Sequence, residues 1–162
     1  AVLEDDEFQS LPDEEKEYIT ERILEEVRGR MMEDIILLET AKALGKNYKV
    51  FKLQFNAGEF DMVIRDKINN TCAIYEIKHS KEYVLEQGRH LMDENKLALT
   101  TPRYGSLVGR YVLYLGENMN SEEGIAYRNA EDFLKNLPNI CLNSELESAI
   151  SEDETQGMAP SM

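Results

Sequence analysis

Two strand-like runs, "EFDMVIRD" at Glu59–Asp66 and "TCAIYEIK" at Thr71–Lys78, flank the turn signal "KINN", and this hairpin constrains the fold more than any other segment. Both runs are rich in β-branched and aromatic residues, which suit a pleated, half-buried surface. Yet the second run places an acid and a lysine, Glu76 and Lys78, in its interior. Alternate side chains share a strand face, so these two point one way while Tyr75, Ile77 and His79 point the other. A loop centred on Ile68 and Asn69 sets Asp61 opposite Glu76, and one centred on Asn69 and Asn70 sets Asp61 opposite Lys78. In both registers Asp61, Glu76 and Lys78 share one face.

Glu76 and Lys78 alone would also suit a solvated strand face with a cross-strand ion pair. Asp61 changes the chemistry. Two carboxylates side by side across a ladder repel by about 0.2–1 kcal/mol, more when buried, and a divalent cation between them removes that penalty. Oxygen-only ligation suits Mg²⁺ or Mn²⁺, which take one or two carboxylates and fill the remaining positions with water and phosphate oxygens. A neighbouring lysine then orients or deprotonates the attacking water and offsets transition-state charge. The pattern predicts a phosphodiester hydrolysis site. A third acid is expected from the apolar helix "MMEDIILLETAKAL". Glu33 heads the stripe Leu37, Ala41, Leu44 and should face the sheet, while Asp34 lies about 100° round.

Around the hairpin the chain reads as α/β. Ser10, Pro12 and early acids signal a helix start, and Ile19, Ile23 and Val27 predict an amphipathic helix over about 13–27. Gly29 marks an expected break or bend before the second, more apolar helix, which should be buried and end at Gly45. "YKVFKLQF" precedes the hairpin as a further strand. "LEQGRHLMDENKLAL" reads as a helix, "SLVGRYVLYLG" and "IAYRN" as strands, and "AEDFLKNL" as a final helix.

Charge divides the chain into three. Residues 1–26 hold 11 acids against Lys16 and Arg22, residues 141–162 hold five acids and no base, and residues 27–140 hold 16 of each sign. The net charge of -14 therefore lies at the two ends, and an anionic substrate is not excluded from the middle. Lys81, Arg89, Lys96, Arg103 and Arg110 are candidates for a phosphate-contacting rim. From about Asn143 the composition predicts a disordered tail. No apolar run approaches the ~20 residues of a membrane span. Cys72 and Cys141 lack CxxC spacing, so a reducing cytoplasm fits better than a disulfide scaffold. "ALGKNY" lacks the features of a phosphate-binding loop.

Glu33 on a helix, Asp61 and Glu76-Ile77-Lys78, in the order αβββαβ, resemble the PD-(D/E)xK nuclease superfamily. More narrowly, "GRMMEDIILLE", "GEFDMVI", "EIKHS" and "YRNAEDFLKNL" resemble the nuclease-like domain of unknown function found C-terminal to the ATP-binding domain in many bacterial and archaeal AAA+ type ATPases. The likeness covers about residues 27–140. It implies a restriction-endonuclease-like core, a mixed sheet flanked by helices, with an acidic N-terminal helix added. It also implies Asp61 and Glu76 as direct ligands of Mg²⁺ or Mn²⁺, the Ile77 carbonyl as a third, and Glu33 as a ligand directly or through water. Lys78 would hold the nucleophilic water, DNA would be the substrate, and an ATPase domain would lie upstream. Some related nucleases add Q-xxx-Y on the next helix; here Gln87 is followed by Leu91 where the tyrosine would stand. A module that keeps the fold without catalysis, for protein interaction or regulation of the ATPase, is the competing expectation.

Overall fold

A computed structural model describes residues 6–137. The expected disordered tail lies outside these residues. The elements run α1 (Asp6–Gln9), α2 (Asp13–Leu44), β1 (Tyr48–Phe55), β2 (Gly58–Asp66), β3 (Thr71–Ile77), a 3₁₀ helix (Leu85–Met92), α3 (Glu94–Tyr104), β4 (Ser106–Tyr114), β5 (Met119–Asn120), β6 (Ala126–Asn129) and α4 (Ala130–Asn136). Six strands form one mixed sheet in the order β1-β2-β3-β4-β6-β5. The pairs β1/β2, β2/β3 and β5/β6 are antiparallel, and β3/β4 and β4/β6 are parallel. A parallel neighbour requires a crossover, and the 3₁₀ helix with α3 supplies it between β3 and β4.

Alternation along the strands divides the core between the two sheet faces. Met62, Ile64, Ala73, Tyr75, Ile77, Tyr111 and Leu113 pack beneath Ile36 of α2 and Phe133 of α4. Phe60, Val63, Cys72, Ile74, Val112 and Tyr114 pack beneath Leu91 of the 3₁₀ helix, with Leu97 and Tyr104 of α3 against them. At the centre of the first layer the Tyr75 and Tyr111 rings stack at 4.9 Å. The hairpin adopts the register centred on Ile68 and Asn69, with Met62 opposite Tyr75 and Asp66 opposite Thr71. Asp66 holds the turn by accepting hydrogen bonds from the amides of Ile68 and Asn69 and from the Asn69 side chain. Asn70 takes the one positive-φ position there, at 53°, a conformation that asparagine tolerates.

Three helical expectations are corrected. Gly29 does not break the helix: α2 runs 32 residues without interruption and crosses the division at residues 26 and 27 between acidic extension and body. One glycine costs about 1 kcal/mol in a helix, too little to stop one propagated from good formers on both sides. The apolar second half of α2 is not buried all round, since only Ile36 and Thr40 are buried while Met31, Ile35 and Leu38 are about half exposed. The stretch after β3 is not one helix. It starts as a 3₁₀ segment and restarts at Asp93, whose carboxylate accepts hydrogen bonds from the amides of Asn95 and Lys96 and caps α3. Among the described residues, no helix is long and apolar enough to cross a membrane.

A β-carbon at Gly29 would meet nothing within 4 Å. Gly29→Ala should therefore stabilise the protein by about 0.5–1 kcal/mol, measured by urea denaturation. A loss of stability would show that this position bends.

Candidate metal centre

Where β2 and β3 stop pairing through their main chains, a side chain continues the contact: the Ile77 amide donates to Asp61 Oδ2 at 2.8 Å. A bulge on the other edge of β2 sets Asp61 there. Phe51 pairs with Val63 and Leu53 with Phe60, so Lys52 alone faces both Asp61 and Met62. The extra residue sends Phe60 into one core layer and Met62 into the other, and Asp61 stands at the crossing. Bulges re-aim side chains in this way beside functional sites.

Asp61 consequently reaches two groups of acids. Toward α2, carboxylate oxygens of Glu33, Glu59 and Asp61 lie within 4.8 Å of one another, a set able to hold a metal ion. Lys52 Nζ already serves that side, at 3.0 Å from Glu33 and 3.5 Å from Glu59. Toward β3, Asp61 stands beside Glu76, and both are almost fully buried, at 5% and 2% exposure. Lys78 Nζ lies 3.6 Å from Glu76 Oε2, while Glu76 Oε1 has no hydrogen-bond partner among the described residues. An unpaired carboxylate oxygen in a dry site is costly, and either a cation or a proton shared with Asp61 removes that cost. Burial first, then the charge and hydrogen bond of Asp61, push the Glu76 carboxyl from 4.5 up to about 9, against the opposing pull of Lys78.

Of the residues expected from sequence, Asp61, Glu76 and Lys78 come together, and Ile77 closes β3 with its amide on Asp61. Glu33 meets Asp61 from α2, while Asp34 is exposed. Glu59 was passed over as the start of a strand, although its position two residues before Asp61 could have suggested it. Gln87 sits in the 3₁₀ helix, and Leu91, at the Q-xxx-Y tyrosine position, is a buried core residue.

The expected basic rim is only partial. Lys81, Arg89 and Arg103 are exposed, but Lys96 is 5% exposed, and its Nζ bonds His90 Nδ1 at 2.9 Å. With Nδ1 accepting from the lysine, the imidazole proton belongs on Nε2. Partial burial, then the charges of Lys96 and Lys78, hold the His90 pKa below its usual value against the opposing pull of Asp61 and Asp93. Gly58 makes room for this pair: its φ is +98°, and a β-carbon there would lie 2.8 Å from Lys96 Nζ.

Between pH 4.5 and about 9 folded Glu76 keeps a proton that the unfolded chain has lost, so this group's contribution to stability falls as pH rises through that range. Without metal, Glu76→Gln should therefore raise the melting temperature at pH 8 more than at pH 5. An equal shift at both pH values would dissociate Glu76 from the effect. The chain matches no protein-family model, no curated protein and no solved structure.

Proposed function

We propose that this chain is a metal-dependent, nuclease-like domain that hydrolyses phosphodiester bonds of DNA. The reading includes a restriction-endonuclease-like αβββαβ core and a place C-terminal to the ATP-binding domain of an AAA+ type ATPase. The observation that carries it is the buried pair Asp61 and Glu76, with one oxygen orphaned and Lys78 at its edge. Such an arrangement destabilises a metal-free fold, and its all-oxygen donors suit Mg²⁺ or Mn²⁺. The buried free thiol of Cys72 fits a reducing, cytoplasmic setting.

In this reading Asp61, Glu76 and the Ile77 carbonyl hold the ion, and Glu33 joins directly or through water. The ion supplies Lewis-acid stabilisation of the phosphate and a nucleophile at neutral pH. Lys78, 38% exposed beside a buried acid, presents its ammonium to incoming water and to the phosphate. The hydrogen bond from the Ile77 amide holds Asp61 in one orientation before substrate arrives. Burial around the pair keeps bulk water from competing for the same oxygens.

Lys52 favours a second reading. Its ammonium already pairs with both Glu33 and Glu59, as suits a catalytically silent module for protein interaction or regulation of the ATPase. The two readings part on one experiment. The protein is incubated with single- and double-stranded DNA and RNA in Mg²⁺ or Mn²⁺, beside Glu76→Ala and Lys78→Ala, with metal binding followed by calorimetry. The nuclease reading expects DNA cleavage to fall at least about 100-fold in both variants, with metal binding lost in Glu76→Ala and kept in Lys78→Ala. Wild-type protein that binds neither metal nor nucleic acid would leave the silent module.

A further inference from the structure

A cleft of about 410 Å³ opens between the end of β1 and α3, on the sheet face opposite α2. Leu53 and Phe55 line it from the strand, and Lys96, Leu99 and Arg103 line it from the helix. The three helical residues follow one another at steps of three and four, so they share one face of α3. Lys96 and Arg103 therefore stand about 10 Å apart along the helix axis, with Leu99 between them.

Lys96 lacks a counter-charge. It is 5% exposed, yet its Nζ has one hydrogen-bond partner among the described residues, His90 Nδ1, and forms no ion pair with any of their carboxylates. An ammonium carries three donors, and a buried cation without an opposing charge is costly. The carboxylate in the cleft lining, Asp93, is already bonded to the amides of Asn95 and Lys96. An anion entering the cleft would supply the missing partner.

The rest of the lining narrows the class of anion. Lys96 Nζ lies 5.7 Å from the centre of the Phe55 ring, and Arg103 Cζ lies 5.9 Å from that of Tyr104. Both rings line the cleft. Two cations are thus separated by aromatic and aliphatic surface. A free phosphate needs one of those cations and none of the apolar wall. A single-stranded nucleic acid carries phosphates separated by flat bases and can use both, whereas a duplex keeps its bases paired and stacked inside. The Lys96 end also adjoins the strand that bears Asp61. A β-carbon at Gly58 would lie 2.8 Å from Lys96 Nζ, and Asp61 is three residues on along β2, about 10 Å.

We propose that this cleft seats a single-stranded segment of nucleic acid, with one phosphate on Lys96 and another on Arg103. Its use as a substrate subsite rests on the nuclease reading; the binding does not, and is measured without metal. The full 162-residue chain is titrated in EDTA with fluorescein-labelled single-stranded DNA and followed by anisotropy. Lys96→Met and Arg103→Ala are run beside it, with Lys135→Ala, on the exposed face of α4, as the control for charge lost elsewhere. Kd should rise at least about tenfold in Lys96→Met and about threefold in Arg103→Ala. The slope of log Kd against log salt should fall by about 0.7 in each, as for one lost phosphate contact. Lys135→Ala should match wild type, and duplex DNA of the same length should bind at least about tenfold more weakly. Arg103 is exposed, so Arg103→Ala decides the question even where Lys96→Met does not fold. Unchanged affinity in Arg103→Ala, an equal loss in Lys135→Ala, tighter binding of duplex, or no binding of single strands by wild type would each overturn the proposal. Calorimetry with Mg²⁺ or Mn²⁺ judges the nuclease reading separately: strand binding by a protein that takes up no metal would leave the cleft and remove the nuclease.

Discussion

The hydrogen bond from the Ile77 amide to Asp61 Oδ2 joins structure to site. Here β2 and β3 diverge, and the backbone donor that would otherwise be stranded is satisfied by a side chain. The same bond fixes a carboxylate that touches acids from α2, β2 and β3. Asp61 is thus a structural clamp and a candidate ligand at once. Its removal would open the hairpin end as well as the site, so Glu76 and Lys78 are the cleaner probes of chemistry.

The site has cations at both ends. Lys52 lies between Glu33 and Glu59 on the α2 side, and Lys78 lies beside Glu76 on the other, with Asp61 in the middle. Four carboxylates and two ammonium groups leave a negative surplus, concentrated where solvent is excluded. Protonation of Glu76 relieves it in the metal-free protein; a divalent ion would relieve it by charge. The buried acid pair is therefore a costly part of the metal-free fold, as is common where function and stability compete.

Much of the sheet was legible because its signals are local. The runs at 48–55, 59–66 and 71–78 alternate or are β-branched throughout, and the observed strands match them within a residue. Parity along β3 already put Glu76 with Lys78, and helical spacing already chose Glu33 over Asp34. The bulge opposite Lys52 was not legible, since it belongs to a pair of strands and neither sequence marks it. Lys96 and His90 were hidden for a similar reason. The 3₁₀ helix, the Asp93 cap and the glycine at 58 have to meet in space before that lysine is buried. The exposed face of α2 was misread because apolar residues all round a helix imply burial only if something covers every side.

The continuity of α2 through Gly29 also has a mechanical meaning. Asp13 and Glu33 stand about 30 Å apart on one unbroken helix, and Glu33 ends in contact with Lys52 beside Asp61. The position of Glu33 beside Asp61 is therefore set by the placement of one long helix as a whole, not by a local loop.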